Sequence, residues 1–183
     1  MLKRFAAFAL LAAPAAISTA QSPTQVAQWT LAGGQQGCAV HASSPQGTVV
    51  SIIAGAEQSN LMFLIQDRSW RLQDGQSYKI AVEFDEEGPW QLQAVARTEI
   101  DQDGPGLIFA VPAGEERGLK FISEFVGATG MALIREGSGA AAIPLGSGES
   151  AMTALAQCLG QVHGGSSPNV TEAGFGGAPA VKI

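Results

Sequence analysis

Tyr78-Lys79-Ile80-Ala81-Val82-Glu83-Phe84-Asp85-Glu86-Glu87-Gly88-Pro89-Trp90-Gln91-Leu92-Gln93-Ala94-Val95-Ala96-Arg97 decides how the rest of the chain is read. In its first half Tyr78, Ile80, Val82 and Phe84 alternate with Lys79, Ala81, Glu83 and Asp85, the period of two that marks a strand with one face buried. Asp85 to Pro89 is an acidic turn rich in residues that break regular structure. Behind it Trp90, Leu92, Ala94 and Ala96 alternate with Gln91, Gln93, Val95 and Arg97. Two alternating runs around a short polar turn predict an antiparallel hairpin.

The same grammar extends in both directions. Upstream, Asp74-Gly75 is a turn, preceded by Trp70 and Leu72 alternating with Arg71 and Gln73. Asn60 to Gln66 is an apolar run of strand length that Asp67-Arg68-Ser69 breaks. Gly37 to Ala42 and Thr48 to Ala54 read as strands about the turn Ser43 to Gly47. Downstream, Gly106 to Val111 is a strand closed by Pro112. The period then changes to that of a helix, with Leu119, Ile122, Phe125 and Val126 on one face, Glu115 and Glu116 at its start, and Gly127 and Gly130 to end it. Met131 to Arg135 and Ala140 to Leu145 form a second hairpin turned at Glu136 to Gly139. Ser147 is placed to cap a last helix whose Met152, Leu155, Cys158 and Leu159 share a face, with Gly160 as its stop.

These elements predict a single α+β domain from Trp29 to Gly160, an antiparallel β-sheet or β-sandwich with two packed helices and one disulfide. Gln21 to Gln28 reads as a polar leader, and residues 161–183, rich in Gly, Ser and Pro, as a disordered tail. Before the leader, Lys3 and Arg4 precede an apolar run from Phe5 to Ile17 and then Ser18-Thr19-Ala20. That order is the pattern of a cleavable secretory signal, residues 1–20, too short to cross a bilayer that needs about 20 apolar residues. The expected location is periplasmic or secreted. An Ala- and Gly-rich, Lys-poor composition points to a bacterial source.

The whole chain carries 10 Lys and Arg against 16 Asp and Glu, a formal net charge of −6. Losing Lys3 and Arg4 makes the exported form more acidic still. Such a surface has no cationic patch for nucleic acid and is repelled by anionic headgroups, so the expected partner is another protein or an envelope component. The two cysteines, Cys38 and Cys158, permit one intramolecular bridge, and export favours its formation. A redox or metal role would call for a CxxC pair or nearby histidines, whereas the chain has only His41 and His163.

Several stretches echo catalytic or ligand-binding motifs. Glu99-Ile100-Asp101-Gln102-Asp103-Gly104 resembles the front of a calcium loop, but the twelfth position, where a bidentate Glu is needed, is Ala110. His41, with Ser43 and Ser44 nearby, is the one histidine in a position to serve a nucleophile, without a GxSxG elbow to support it. Asp85 with Glu86, or Glu115 with Glu116, are candidate acid and base pairs for glycoside hydrolysis, though adjacent acids at turns and helix starts are ordinarily solvated. Gly146-Ser147-Gly148 lacks the lysine of a phosphate-binding loop. No catalytic residue, metal ligand or cofactor site is assigned. Trp29, Trp70 and Trp90 are the candidates to line an aromatic ligand groove, against the alternative that they fill the core.

From Leu119 to Leu159 the order is helix, strand, turn, a strand ending Ile143-Pro144-Leu145-Gly146-Ser147, then a helix carrying Ala151, Leu155 and Cys158. This order resembles the C-terminal part of small secreted alphaproteobacterial proteins similar to the invasion-associated locus B family. The present chain departs from that family in having two cysteines rather than a larger set. The resemblance implies an exported, non-enzymatic, β-rich protein, with a role in host interaction, and carries over no catalytic residue. The expected function is thus an exported binding protein of the bacterial envelope, one version being an inhibitor of a cationic exported enzyme. The alternatives are a periplasmic hydrolase using His41 or a carboxylate pair, and a structural subunit of an envelope assembly.

Overall fold

A computed structural model describes residues 24–164, apart from 27, 35, 57, 86–87 and 136–139. The signal, residues 165–183 of the tail and the turn at 136–139 therefore lie outside the described residues. The elements are β1 (Thr24–Val26), β2 (Trp29–Gly34), β3 (Gly37–Ser43), β4 (Val49–Gly55), β5 (Asn60–Gln66), β6 (Ser77–Phe84), β7 (Trp90–Arg97), β8 (Gly106–Pro112), α1 (Glu116–Gly127), β9 (Gly130–Arg135), β10 (Ala140–Pro144) and α2 (Gly148–His163). Nine strands and the three-residue β1 make one sheet in the order β1-β2-β3-β4-β5-β8-β7-β6-β9-β10. Every pairing in it is antiparallel. The expected α+β architecture with two helices and a disulfide is the one found.

The hairpin that opened the reading is β6 and β7, with Tyr78 opposite Ala94 and Val82 opposite Trp90. Its apolar positions face the helices: Ile80, Val82, Phe84, Ala94 and Ala96 are all buried. At the other end of the sheet, Gln28 Nε2 donates to Pro144 O at 3.1 Å and Trp29 Nε1 donates to Leu145 O at 3.1 Å. Side-chain hydrogen bonds thus tie the sheet's two ends together where a strand ladder would close a barrel.

The core is aromatic at its centre. Phe63 stacks on Phe109 at 5.3 Å and meets Phe121 and Phe125 edge to face, and Phe84 meets Phe121 at 4.9 Å. These rings turn α1 away from its expected orientation. Its buried line is Gly118, Phe121 and Phe125, whereas Leu119 is 54% exposed and Ile122 and Val126 are half-buried. The cause is a close approach: a Cβ on Gly118 would lie 1.8 Å from the carbonyl oxygen of Pro112. With no side chain there, the helix settles onto the end of β8, and the two Phe rings fill the space above the sheet.

Two boundaries differ from expectation. Thr24–Val26, read from sequence as part of a polar leader, pairs with β2 as an edge strand. The last helix runs through Gly160, its expected stop, to His163, so residues 161–163, read from sequence as the start of a disordered tail, are its final turn. Ser147 does cap it, its side chain accepting from Ser150 N at 3.1 Å.

Candidate functional site

The two cysteines come together. Cys38 sits on the core face of β3 and Cys158 on the buried side of α2; the two are bonded, with their Cα atoms 6.1 Å apart, and both are essentially inaccessible. The alternation of β3 and the helical period of α2 aim both side chains inward. The bond joins positions 120 residues apart and pins the last helix to the first half of the sheet.

The three tryptophans do not share a groove. Trp29 is fully buried, held by its bond to Leu145 O and by an edge contact with Phe125 at 6.0 Å. It belongs to the core because β2 points it at the helices. Trp70 and Trp90 are half-buried against the same core. Trp90 donates its indole N–H to the Glu124 carboxylate, and its ring lies 5.4 Å from Phe121, with the Arg117 and Lys120 cations 5.9 and 5.8 Å from its centroid. Lys120 in turn pairs with Glu124 at 3.7 Å. The cluster braces α1 against β7, and Arg117 adds a bond to Gln91 O at 3.3 Å.

His41 has a serine partner, but neither of its chain neighbours. Its Nδ1 lies 2.7 Å from Ser51 Oγ, because β3 and β4 pair symmetrically about their turn and put His41 directly opposite Ser51. That register was within reach of the sequence, since the turn at Ser43–Gly47 fixes which residues face each other across it. Burial pushes the imidazole below the ordinary histidine value, against a smaller opposing pull from Asp101 and Asp103. Ser51 is only 2% exposed, so its hydroxyl is almost wholly covered by the surrounding protein.

The remaining acidic motifs are accounted for by the backbone. Asp101 Oδ1 accepts from the buried Gln66 amide and from Asp103 N, each at 2.8 Å. Asp103 pairs with Arg68 at 3.5 Å. Asp85 holds the end of α1 to the start of β9, accepting from Thr129 N, Thr129 Oγ1 and Gly130 N; Glu86 lies outside the described residues. His163, which fell in the predicted tail, is exposed but lies in the last turn of α2, with Nδ1 2.8 Å from Leu159 O and Nε2 2.7 Å from Ala56 O. Among the described residues there is no cluster of three metal-ligating side chains, and no helix is long and apolar enough to cross a membrane.

One surface stands out that the sequence did not single out as a site. Of the large apolar side chains, Leu119 is the most exposed among the described residues. It continues into half-buried Ile122 and Val126 along one side of α1. Exposed Glu115 and Glu116 lie one turn before it, and beyond Val126 the start of α2 brings Glu149: a Cβ on Gly148 would be 3.1 Å from Val126 Cα. None of these three carboxylates is ion-paired among the described residues, while Glu124, on the other flank of the helix, is bonded to Trp90 and Lys120. The stripe was visible in sequence as a helical period, but the period alone did not say that Phe121 would displace Leu119 from the core.

Fold and surface together define a class: a disulfide-stapled α+β domain with a ten-stranded antiparallel sheet and an apolar stripe left on its first helix. No family model matches the sequence, and no curated protein or solved structure matches it either.

Proposed function

We propose that this chain is an exported, non-enzymatic binding protein of the bacterial envelope, as the resemblance to the invasion-associated locus B family also implies. The observation that carries the reading is Leu119: 54% exposed on a helix whose other large apolar side chains are buried or half-buried. A contiguous apolar patch rimmed by polar groups marks a protein contact, and Leu119 continues into half-buried Ile122 and Val126. The buried Cys38–Cys158 bond supports export, since such bonds persist in oxidising compartments. The test is a photo-reactive benzophenone side chain placed at position 119 in the intact exported protein. A defined adduct from position 119, and none from exposed position 73, is the expected result; no adduct at 119 in envelope or medium removes the proposal.

The hydrolase reading has one observation in its favour, the 2.7 Å contact between His41 and Ser51. The burial of Ser51 weighs against it. Any ester- or amide-hydrolysing activity that Ser51→Ala abolishes without loss of fold would restore it.

A further inference from the structure

Building on the binding-protein reading, we infer that the stripe Leu119–Ile122–Val126 receives a cationic amphipathic segment of a partner protein, apolar at its centre with Lys or Arg at its flanks. The shape of the demand follows from what borders the stripe. Glu115 and Glu116 stand at its N-terminal end and Glu149 at its far end, all exposed and without an ion pair among the described residues. The cations of the same helix are already engaged: Arg117 lies over Trp90 and bonds Gln91 O, and Lys120 pairs with Glu124. They sit on the opposite flank, so the field along the stripe is that of the three free carboxylates. An acidic partner would meet like charge at both ends, whereas a basic one gains attraction at both ends and covers Leu119 in the middle. The chain's net charge of −6 adds long-range steering of a cationic partner. Packing a helical segment along Leu119, Ile122 and Val126, spaced three and four residues apart, matches the usual way one helix face engages another.

The experiment uses the disulfide-intact protein and two fluorescent probes of about 14 residues, long enough for a helix to form on contact. One is built of Leu and Lys in helical order and the other of Leu and Glu. Binding of the Lys probe that weakens with salt, with much weaker binding of the Glu probe, is expected. Leu119→Ser should weaken the Lys probe at least about tenfold while Leu119→Met keeps it. Glu115→Gln with Glu116→Gln should weaken it comparably, and the charge-matched pair Glu83→Gln with Glu99→Gln, away from the stripe, should not. Leu119 is exposed, so its variants are expected to unfold at the same temperature as the parent protein. Equal binding by Leu119→Ser, or an equal loss from the remote pair, overturns the inference by showing that charge alone attracts the probe. If position 119 cross-links a partner while the Lys probe does not bind, the cationic inference fails and the binding-protein reading stands.

Discussion

Gly148 and Phe125 meet backbone to backbone: a Cβ placed on Gly148 would stand 2.1 Å from the Phe125 carbonyl oxygen. The two helices cross at this point. Gly148 is the first residue of α2, directly behind its Ser147 cap, and Phe125 is in the last turn of α1. Backbone cannot yield as a flexible side chain can, so Gly148→Ala must push the helices apart and loosen Phe125 from Trp29 and Phe63. A loss of about 1–3 kcal/mol is expected, the usual cost of overpacking a core, seen as a lower urea midpoint with an unchanged slope. Gly160→Ala is the control, because nothing lies within 4 Å of a Cβ there and alanine favours a helix interior.

The disulfide should account for a large part of the stability. In the chain-entropy model, closing a loop of 120 residues stabilises the fold by about 5 kcal/mol, less any strain. Cys38→Ala with Cys158→Ala should therefore lower the thermal midpoint strongly. Reductant should have little effect on the folded protein, because both sulfurs are buried. Thiol titration of unreduced, denatured protein should find no free thiol, and two free thiols would sink the assignment.

The sheet was legible because its strands alternate cleanly. Ile80, Val82 and Phe84 on one strand, and Ala94 and Ala96 on the other, turned inward as the period of two required. The strand β1 was not legible, since Thr24–Val26 is too short for a period to show and is placed by its ladder to β2 and by the neighbouring α2. The orientation of α1 was half legible. Residues 118, 121, 122 and 125 satisfy the helical period as well as 119, 122, 125 and 126 do, and the choice between them rests on a tertiary contact, Gly118 against Pro112. Trp29 could be placed only once β2 was known to face the helices. The pairing of Cys38 with Cys158 followed from their number and the expectation of export, whereas the pairing of His41 with Ser51 needed the register.

Asp85 makes the stability of the fold sensitive to acid. It is the one non-glycine residue with positive φ among those described, at 45°, and its carboxylate is held below the usual range chiefly by the Thr129 backbone N–H, then by Gly130 N–H and the Thr129 hydroxyl, against a desolvation that raises it. A depressed native value means the unfolded chain binds the proton first as pH falls. The contribution is therefore present above the unfolded value near 3.9 and lost as pH drops through the lower native one. Asp85→Asn keeps a side chain that tolerates positive φ but gives up the charge. Its midpoint should fall below wild type at neutral pH, and the gap should close under strong acid. A gap that persists unchanged at low pH would assign the effect to shape rather than charge.

His41 predicts a second pH dependence. Burial lowers its native value while Asp101 and Asp103 oppose the shift, so the folded protein prefers the neutral ring, whose Nδ1 lies 2.7 Å from Ser51 Oγ. Between that lowered value and the unfolded one near 6.5, the unfolded chain binds more protons than the folded one, and stability rises with pH across the interval. Full stability is reached above the unfolded value and declines as pH falls toward the native one. Urea titrations from pH 5 to pH 8 should show the midpoint climbing in wild type and running flatter in His41→Gln, which keeps a side chain able to bond Ser51 but cannot charge. If both proteins climb alike, the sensitivity lies in other groups. If His41→Gln is less stable at every pH but keeps the slope, the His41–Ser51 contact is structural and makes no contribution to the acid response.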